Sequence, residues 1–230
     1  MSEQRPPPTT RVDCCQPVDP RIARHFDADM RRHESAGRFP PMAVASRALL
    51  ELLGDVSQRR PSLLELGAGS GALTVALLEK GATRADAVDL SPQSVATAER
   101  RAREAGVADR ATFTVGDAAQ AVLEPHDWVV LDRVICCYSD VEALLGNAIG
   151  AARQRIAFSV PHVHGWRGLV NRLIVTVENA TNRLRGRPCP GYLHAIRLID
   201  ERLAEAGFRR LRQTTAGLWY VAVYERAQST

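Results

Sequence analysis

The octapeptide at positions 64–71, Leu-Glu-Leu-Gly-Ala-Gly-Ser-Gly, decides the fold of this chain. The apolar run at residues 63–66 is short enough for a buried strand, and residues 72–80 continue as a helix. Glycines between a strand and a helix let the backbone turn sharply and let a ligand contact it. The helix that follows offers free N–H groups and a positive dipole end to an anionic group. The segment therefore predicts a strand–loop–helix unit with a ligand-binding loop.

Strands and helices keep alternating on the C-terminal side of this loop. Further strands are predicted at residues 85–89, 111–115, 128–131 and 156–160, and helices at 92–105 and 141–152. Such alternation is typical of a parallel sheet with helices on both faces. Two last strands, at residues 208–214 and 218–224, face each other across a turn and predict a hairpin at the end of the sheet.

Composition and length exclude several classes of protein. The 230 residues are 45% hydrophobic and 24% charged, which is typical of one globular domain rather than a disordered chain. No apolar run reaches the about 18 residues of a membrane-spanning helix, and residues 1–19 lack the apolar run of a signal peptide. The sequence therefore predicts a cytoplasmic protein. The five cysteines have no zinc-type spacing, so we expect no metal site.

Acidic residues stand near the ends of the first three predicted strands. Glu65 precedes the first glycine by two residues, Asp89 ends the second strand, and Asp117 follows the third. Parallel strands bring their carboxyl ends to one edge of a sheet. There Glu65 can reach the amine of an amino acid, Asp89 can hold ribose hydroxyls, and Asp117 with the N–H of Ala118 can hold an adenine edge. The set predicts a ligand that joins a nucleoside to a cationic amino acid.

With these motifs, residues 43–225 resemble the class I S-adenosylmethionine-dependent methyltransferases. The resemblance implies an α/β, Rossmann-like sheet of seven strands, six parallel and the seventh antiparallel, with helices on both faces. It implies S-adenosyl-L-methionine as the cofactor. It also implies cofactor contacts from Glu65, Gly67, Ala68, Gly69, Gly71, Asp89, Leu90, Asp117, Ala118 and Asp132. For Asp132, an ion pair with Arg133 is an equal alternative.

The resemblance implies methyl transfer to a small-molecule acceptor. Residues 131–140 look similar to bacterial magnesium-protoporphyrin O-methyltransferases, which favours a bulky, apolar and anionic acceptor. An RNA methyltransferase and a non-catalytic cofactor-binding scaffold stay open as alternatives, although neither a basic RNA-binding module nor an Asn/Asp-Pro-Pro-aromatic string is present. The glycine string alone also fits a dinucleotide fingerprint, so a nicotinamide dehydrogenase is a further alternative.

Three side chains are candidates for a catalytic role. Tyr138 follows the fourth strand, while His162 and His164 follow the fifth, where acceptors bind in such folds. A histidine there can act as a general base or order the acceptor. The alternative is two histidines on a surface loop. An acceptor that is already nucleophilic needs no base.

The two ends of the chain carry the remaining predictions. Residues 1–41 are predicted to form a tail and a helix, and residues 42–230 the methyltransferase domain, with a helical cap inserted at 161–194. The helix predicted at 165–184 has an apolar stripe, expected to pack on the domain; a cap over the acceptor or contact with a membrane surface are alternatives. That stripe consists of Leu169, Val170, Leu173, Ile174 and Val177.

Net charge is distributed unevenly. The whole chain carries +4, but residues 62–160 carry −4 and residues 161–194 carry +4, with Glu178 as the single acid of the latter segment. An acidic cofactor half suits a sulfonium cation, and the basic insertion favours an anionic acceptor or an anionic surface. Lys80 is the one lysine of the chain, which fits codon bias better than a binding role.

Overall fold

A computed structural model describes residues 20–35, 39–186 and 190–227. Its central sheet consists of strands β1 (Ser62–Leu66), β2 (Arg84–Asp89), β3 (Ala111–Val115), β4 (His126–Asp132), β5 (Ala152–Pro161), β6 (Phe208–Ala216) and β7 (Trp219–Arg226). The strand order is β3-β2-β1-β4-β5-β7-β6. β7 runs antiparallel to both of its neighbours, while the other six strands share one direction. The predicted fold class is confirmed.

Helices cover both faces of the sheet. They are α1 (Pro20–Ser35), α2 (Val44–Leu52), α3 (Val56–Arg59), α4 (Ala72–Glu79), α5 (Pro92–Glu104), α6 (Val141–Ala151), α7 (Gly165–Leu184) and α8 (Ile196–Glu205), with single 3₁₀ turns at Ala108–Arg110 and Ile135–Cys137. Strand side chains alternate between the faces. In β4, Val129 and Leu131 pack on the side of α6 and α8, whereas Trp128 and Val130 pack on the side of α2 and α4.

The element bounds differ from the predicted ones mainly at strand starts. β4 begins at His126 and β5 at Ala152, because pairing with neighbouring strands extends both beyond their apolar cores. The single turn α3 carries no periodic signal and was not predicted. The tail predicted for residues 1–19 lies outside the described residues, as do Cys14, Cys15 and Cys189. No helix of the described residues is long and apolar enough to cross a membrane.

α7 occupies its predicted residues but faces the opposite way. Leu169 and Leu173 are 71% and 65% exposed, and Val177 is also exposed, so the expectation that this stripe packs on the domain is wrong. The inward side is polar: the Asn171 side-chain amide donates to the carbonyls of His162 and Leu218, at 2.9 Å each. These hydrogen bonds satisfy loop carbonyls and hold the helix by its polar face.

A buried ion cluster lies near the amino ends of β4 and β5. The Arg155 guanidinium is buried, donates to Asp55 at 2.7 Å and to Glu225 at 3.1 Å, and stacks 4.7 Å from the Trp128 ring centroid. Burial alone raises the pKa of Asp55, but hydrogen bonds from Arg155 and Arg59 outweigh it and lower that pKa to about 2. The cluster ties α2 and α3 to the sheet through paired charges.

Candidate functional site

The glycine loop between β1 and α4 is packed tightly on one side and open on the other. Gly67 has φ +78°, and a Cβ there would stand 2.5 Å from Val134 Cγ2. Gly71 precedes α4 at φ +70°, and a Cβ there would stand 2.7 Å from Ala98 Cβ. Gly69, at φ +53°, has no atom within 4 Å of its Cβ position. The loop therefore packs on α5 and on the segment that follows β4, while Gly69 faces open space.

A cavity of about 630 Å³ lies at the carboxyl edge of the sheet, beside this loop. Its size falls in the range of small-molecule sites. Among the residues predicted to bind cofactor, those that line it are Glu65, Gly67, Ala68, Gly69, Asp89, Leu90, Ala118 and Asp132, and the catalytic candidate Tyr138 lines it as well. The structure thus brings together side chains from β1, β2, β4 and the loops that follow them.

Glu65 is the most deeply buried acid of the cavity. It is 4% exposed, and the Thr74 hydroxyl of α4 donates to its Oε2 atom. Burial, together with the nearby charges of Asp132 and Asp89, raises the pKa of Glu65 to about 8. The side chain is therefore largely protonated near neutral pH, and an adjoining cation would favour its ionised form.

Asp89 and Asp132 are held by short hydrogen bonds. Asp89 accepts from the N–H of Gly69 at 2.8 Å and from the N–H of Ser91 at 2.9 Å, and burial raises its pKa. Asp132 accepts from the hydroxyls of Ser46 and Ser159, the latter at 2.5 Å. Each carboxylate is thus oriented by neutral donors, a rigid arrangement that leaves its charge unbalanced.

Arg133 has a left-handed backbone at the end of β4. Its φ is +57°, uncommon for a residue with a side chain, and its N–H donates to Ser159 Oγ at 2.9 Å. Ser159 in turn donates to Asp132, so the turn and the carboxylate are held by one hydroxyl. The Arg133 guanidinium lies 5.5 Å from the Trp219 ring centroid instead of pairing with Asp132, so the alternative of an Asp132–Arg133 ion pair finds no support in the structure.

Asp117 stands just behind the cavity wall. Its Oδ1 atom accepts from the Tyr138 hydroxyl at 2.8 Å and from the N–H of Ala119 at 3.0 Å. Its Oδ2 atom is buried and has no hydrogen-bond partner within the described chain. A buried acceptor without a partner is costly, and a ligand N–H would satisfy it. Its neighbours Gly116 and Ala118 line the cavity.

Burial, followed by the Asp117 carboxylate, raises the pKa of the Tyr138 hydroxyl. The hydroxyl therefore serves to orient Asp117 and stays protonated, which is unsuited to a general base.

Both histidine candidates lie away from the cavity. His162 Nε2 is 2.9 Å from Thr215 Oγ1, and the ring packs edge-on against Tyr220, between β5 and the hairpin. Burial and the Arg167 charge lower its pKa. His164 is exposed at the start of α7. Neither side chain is among the residues that line the cavity, so the structure does not assemble them with Asp132 or Tyr138.

Sequence reasoning missed the wall that closes the cavity. Ile22, Phe26 and Met30 of α1 and residues 40–44 line it opposite the glycine loop. α1 is fixed on α5 because Asp27 Oδ1 accepts from Ser91 Oγ at 2.5 Å and from the N–H of Gln93 at 3.1 Å. The four-residue spacing of the three apolar residues was visible in the sequence, but their burial partner was not.

Comparison with known proteins shows that part of the chain is similar to methyltransferases. Residues 63–157 match the family model described as "Methyltransferase domain". The release factor glutamine methyltransferase of Rhodospirillum rubrum is 39% identical over 83 residues, which are 36% of this chain and 26% of that protein. The ribosomal protein L11 methyltransferase of Xanthomonas axonopodis pv. citri is 36% identical over 125 residues, 54% of this chain and 37% of that protein. The chain thus spans only about a quarter to two fifths of these relatives.

Solved structures match over nearly the whole chain. The magnesium protoporphyrin IX methyltransferase of Synechocystis PCC 6803, crystallised with SAH, superposes with a TM-score of 0.69 at 19% identity and covers 91% of this chain and 100% of its own. An O-methyltransferase family protein from Burkholderia thailandensis superposes with a TM-score of 0.66 at 16% identity, over 90% of this chain and 59% of its own. These likenesses confirm the fold. With the family match over residues 63–157, they confirm the predicted resemblance to the S-adenosylmethionine-dependent methyltransferases.

Proposed function

We propose that this protein transfers a methyl group from S-adenosyl-L-methionine to a small-molecule acceptor. The observation that carries the proposal is a group of carboxylates, Glu65, Asp89 and Asp132, that line one cavity beside the glycine loop. Within the described residues, no arginine or lysine forms an ion pair with any of them. Carboxylates oriented by hydroxyls and N–H groups suit a cationic ligand.

The described residues fit the parts of this cofactor. Glu65 would hold the amine and Asp89 the ribose hydroxyls. Asp117 does not itself line the cavity, but its neighbours Gly116 and Ala118 do, and its unpartnered Oδ2 atom would accept from the adenine amine. The open space beside Gly69 leaves room for the ligand against the loop backbone. Asp132, together with Leu90 and Ala118, completes the proposed contacts. Gly71 does not line the cavity. It contributes indirectly, because its lack of a side chain lets α4 begin close to α5.

The cofactor supplies a sulfonium methyl group, whose transfer requires a nucleophile in line with it. The chain contributes orientation and exclusion of water rather than proton transfer. Tyr138 is committed to Asp117, and the histidines of the β5–α7 loop lie elsewhere, so none of the three predicted candidates places a base at the cavity; the histidine that lines it is the exposed His33 of α1. We therefore propose an acceptor group that is already nucleophilic at neutral pH, such as a carboxylate.

The wall of the cavity defines the acceptor further. Ile22, Phe26 and Met30 make one side apolar, and Arg47 and Arg133 are also among the residues that line the cavity. Such a lining favours an acceptor with an apolar body and an anionic group, as in a porphyrin. On this proposal α1 belongs with the methyltransferase domain as its acceptor wall, while none of the described residues in 161–186 and 190–194 lines the cavity.

Calorimetry with S-adenosylhomocysteine tests the cofactor proposal. We expect binding in the micromolar range, on the order of −8 kcal/mol. Absence of binding to folded protein at millimolar ligand would overturn it. Transfer of label from radiolabelled cofactor then tests the acceptor, across porphyrins, quinols, polyketides, ribosomal protein and RNA. Label found only on protein or RNA would contradict the small-molecule proposal and leave the cofactor proposal intact. Binding of S-adenosylhomocysteine without methyl transfer to any acceptor would favour the alternative of a non-catalytic cofactor-binding scaffold.

A further inference from the structure

α7 presents an unusual face to solvent. Residues 166, 169, 173, 177 and 184 recur at spacings of three, four and seven, so they lie on one face of the helix. All of them are apolar and exposed: Trp166 63%, Leu169 71%, Leu173 65%, Val177 55% and Leu184 89%. The helix has 20 residues and is therefore about 30 Å long. From here on, the stripe means these five exposed residues. A continuous apolar surface of that length is rarely left exposed without a partner.

The attachment of α7 to the domain fixes this orientation. Gly168 lies so close to the backbone of Val163 that a Cβ would stand 2.3 Å from the Val163 carbonyl carbon. Asn171 holds two loop carbonyls, and Asn179 exchanges two hydrogen bonds with the backbone of Gly191, at 2.9 and 2.7 Å. The inward face is therefore specified by asparagine amides, and turning the helix over would leave these groups unpaired.

Positive charge borders the stripe on both sides. At about 100° per residue, Arg172 and Arg183 lie along one border. Arg185 and Arg167, whose guanidinium donates to the Gly217 carbonyl at 3.0 Å, lie along the other border together with Glu178. Glu178 is the one acid in residues 161–194. Arginine next to exposed leucine and tryptophan is the pattern of a helix that lies in a membrane interface, because its stem can pack on acyl chains while the guanidinium reaches phosphate.

We propose that α7 rests on an anionic phospholipid surface, with the stripe in the boundary between headgroups and acyl chains. A second copy of the chain is the less favourable occupant, since a symmetric pairing of two α7 helices would face arginine with arginine. The stripe lies on the outer side of a helix rather than in a groove, which suits contact with a flat surface. The proposal is independent of the acceptor.

Sedimentation with lipid vesicles tests the proposal. We expect the full chain to sediment with vesicles of phosphatidylcholine and phosphatidylglycerol but not with phosphatidylcholine alone, and to be released by salt. The triple variant Leu169→Ser, Leu173→Ser, Val177→Ser should bind at least about tenfold more weakly. The matched control, Val122→Ser, Leu198→Ser, Leu211→Ser, removes exposed apolar residues elsewhere and should bind like the native chain.

Two further measurements separate the contributions. Arg172→Gln with Arg183→Gln should weaken binding and flatten its salt dependence, whereas Arg197→Gln, on α8 and also exposed, should not. Trp166 emission should shift to the blue with anionic vesicles, and Trp166→Phe should abolish the shift. Unchanged affinity of each variant for S-adenosylhomocysteine verifies the fold.

Three results would overturn the proposal. One is failure of the native chain to bind anionic vesicles, and another is equal loss in the stripe variant and its matched control. The third is self-association of the native chain that the stripe variant abolishes, which would assign the stripe to a second copy.

Discussion

Two groups of acids at opposite edges of the sheet have opposite surroundings. At the amino edge, Asp55 and Glu225 share the buried guanidinium of Arg155. At the carboxyl edge, Glu65 and Asp132 are oriented by hydroxyls of Thr74, Ser46 and Ser159, and neither forms an ion pair within the described chain. The first group is complete by itself and serves stability. The second is complete only with a cation, which is why it is the candidate binding site.

The strongest test of the comparison removes the shared cation. Arg155→Ala removes the buried cation and leaves Asp55 and Glu225 with only the more exposed Arg59 and Arg209 nearby, and we expect it to lower the free energy of unfolding by about 3–5 kcal/mol. Urea unfolding measures the loss. Arg59→Ala, which removes the partly exposed cation beside Asp55, is the matched control and should cost about 1 kcal/mol or less. Equal effects of the two variants would contradict the assignment of Arg155 as the shared partner.

The next largest effect is expected from a substitution that fills the open side of the glycine loop. Gly69→Arg should weaken S-adenosylhomocysteine binding by about 100-fold, or about 3 kcal/mol, because the side chain takes the space beside the loop. Gly106→Arg is its control: Gly106 also has a positive φ and open space around its Cβ position, but lies outside the cavity. Calorimetry should show unchanged affinity for that variant. A similar loss of affinity in both variants would mean that backbone strain at the substituted glycine, rather than a side chain that occupies the ligand's space, explains the result.

A smaller effect concerns the proton on Glu65. With its pKa at about 8, Glu65 is mostly protonated at pH 7, and an ammonium beside it favours ionisation, so binding should release a proton. Calorimetry in buffers of different ionisation enthalpy measures this release. Glu65→Gln should abolish it and weaken binding by about tenfold. Proton release that persists in Glu65→Gln would mean that a group other than Glu65 releases the proton.

The smallest effect is the pH dependence of stability, which should have opposite signs at the two edges. The pKa of Asp55 is lowered to about 2, so its contribution is present above pH 3.8 and lost as pH falls toward 2. The pKa of Glu65 is raised to about 8, so without ligand its contribution is present below pH 4.5 and lost as pH rises to 8. Unfolding curves measured across pH give the free energy of unfolding as a function of pH. Asp55→Asn should remove the loss of stability at acid pH, and Glu65→Gln should remove the loss of stability between pH 4.5 and 8. One slope shared by both variants would refute the contrast.

The parts of the site that follow from the sequence are those that depend on local rules. Glu65, the glycines and Asp89 occur at strand ends, and parallel strands must bring those ends together. The wall from α1 could not be predicted, because Asp27 reaches Ser91 across 64 residues and no local pattern encodes that contact. The same limit applies to α7: apolar periodicity predicted the helix, but its orientation depends on Asn171 and Asn179, whose acceptors lie in other segments.

The attachment of α1 also bears on the order in which the chain folds. A helix of 16 residues is marginal on its own in water, and the groups that hold α1 belong to the start of α5. Because closing so long a loop costs entropy, we expect these contacts to form after the local strand–helix units have joined. On this expectation α1, which precedes the sheet in the chain, docks after the sheet has formed. A refolding experiment should find native-like helicity before the capacity to bind ligand, with the delay shortened by neither proline isomerase nor reductant.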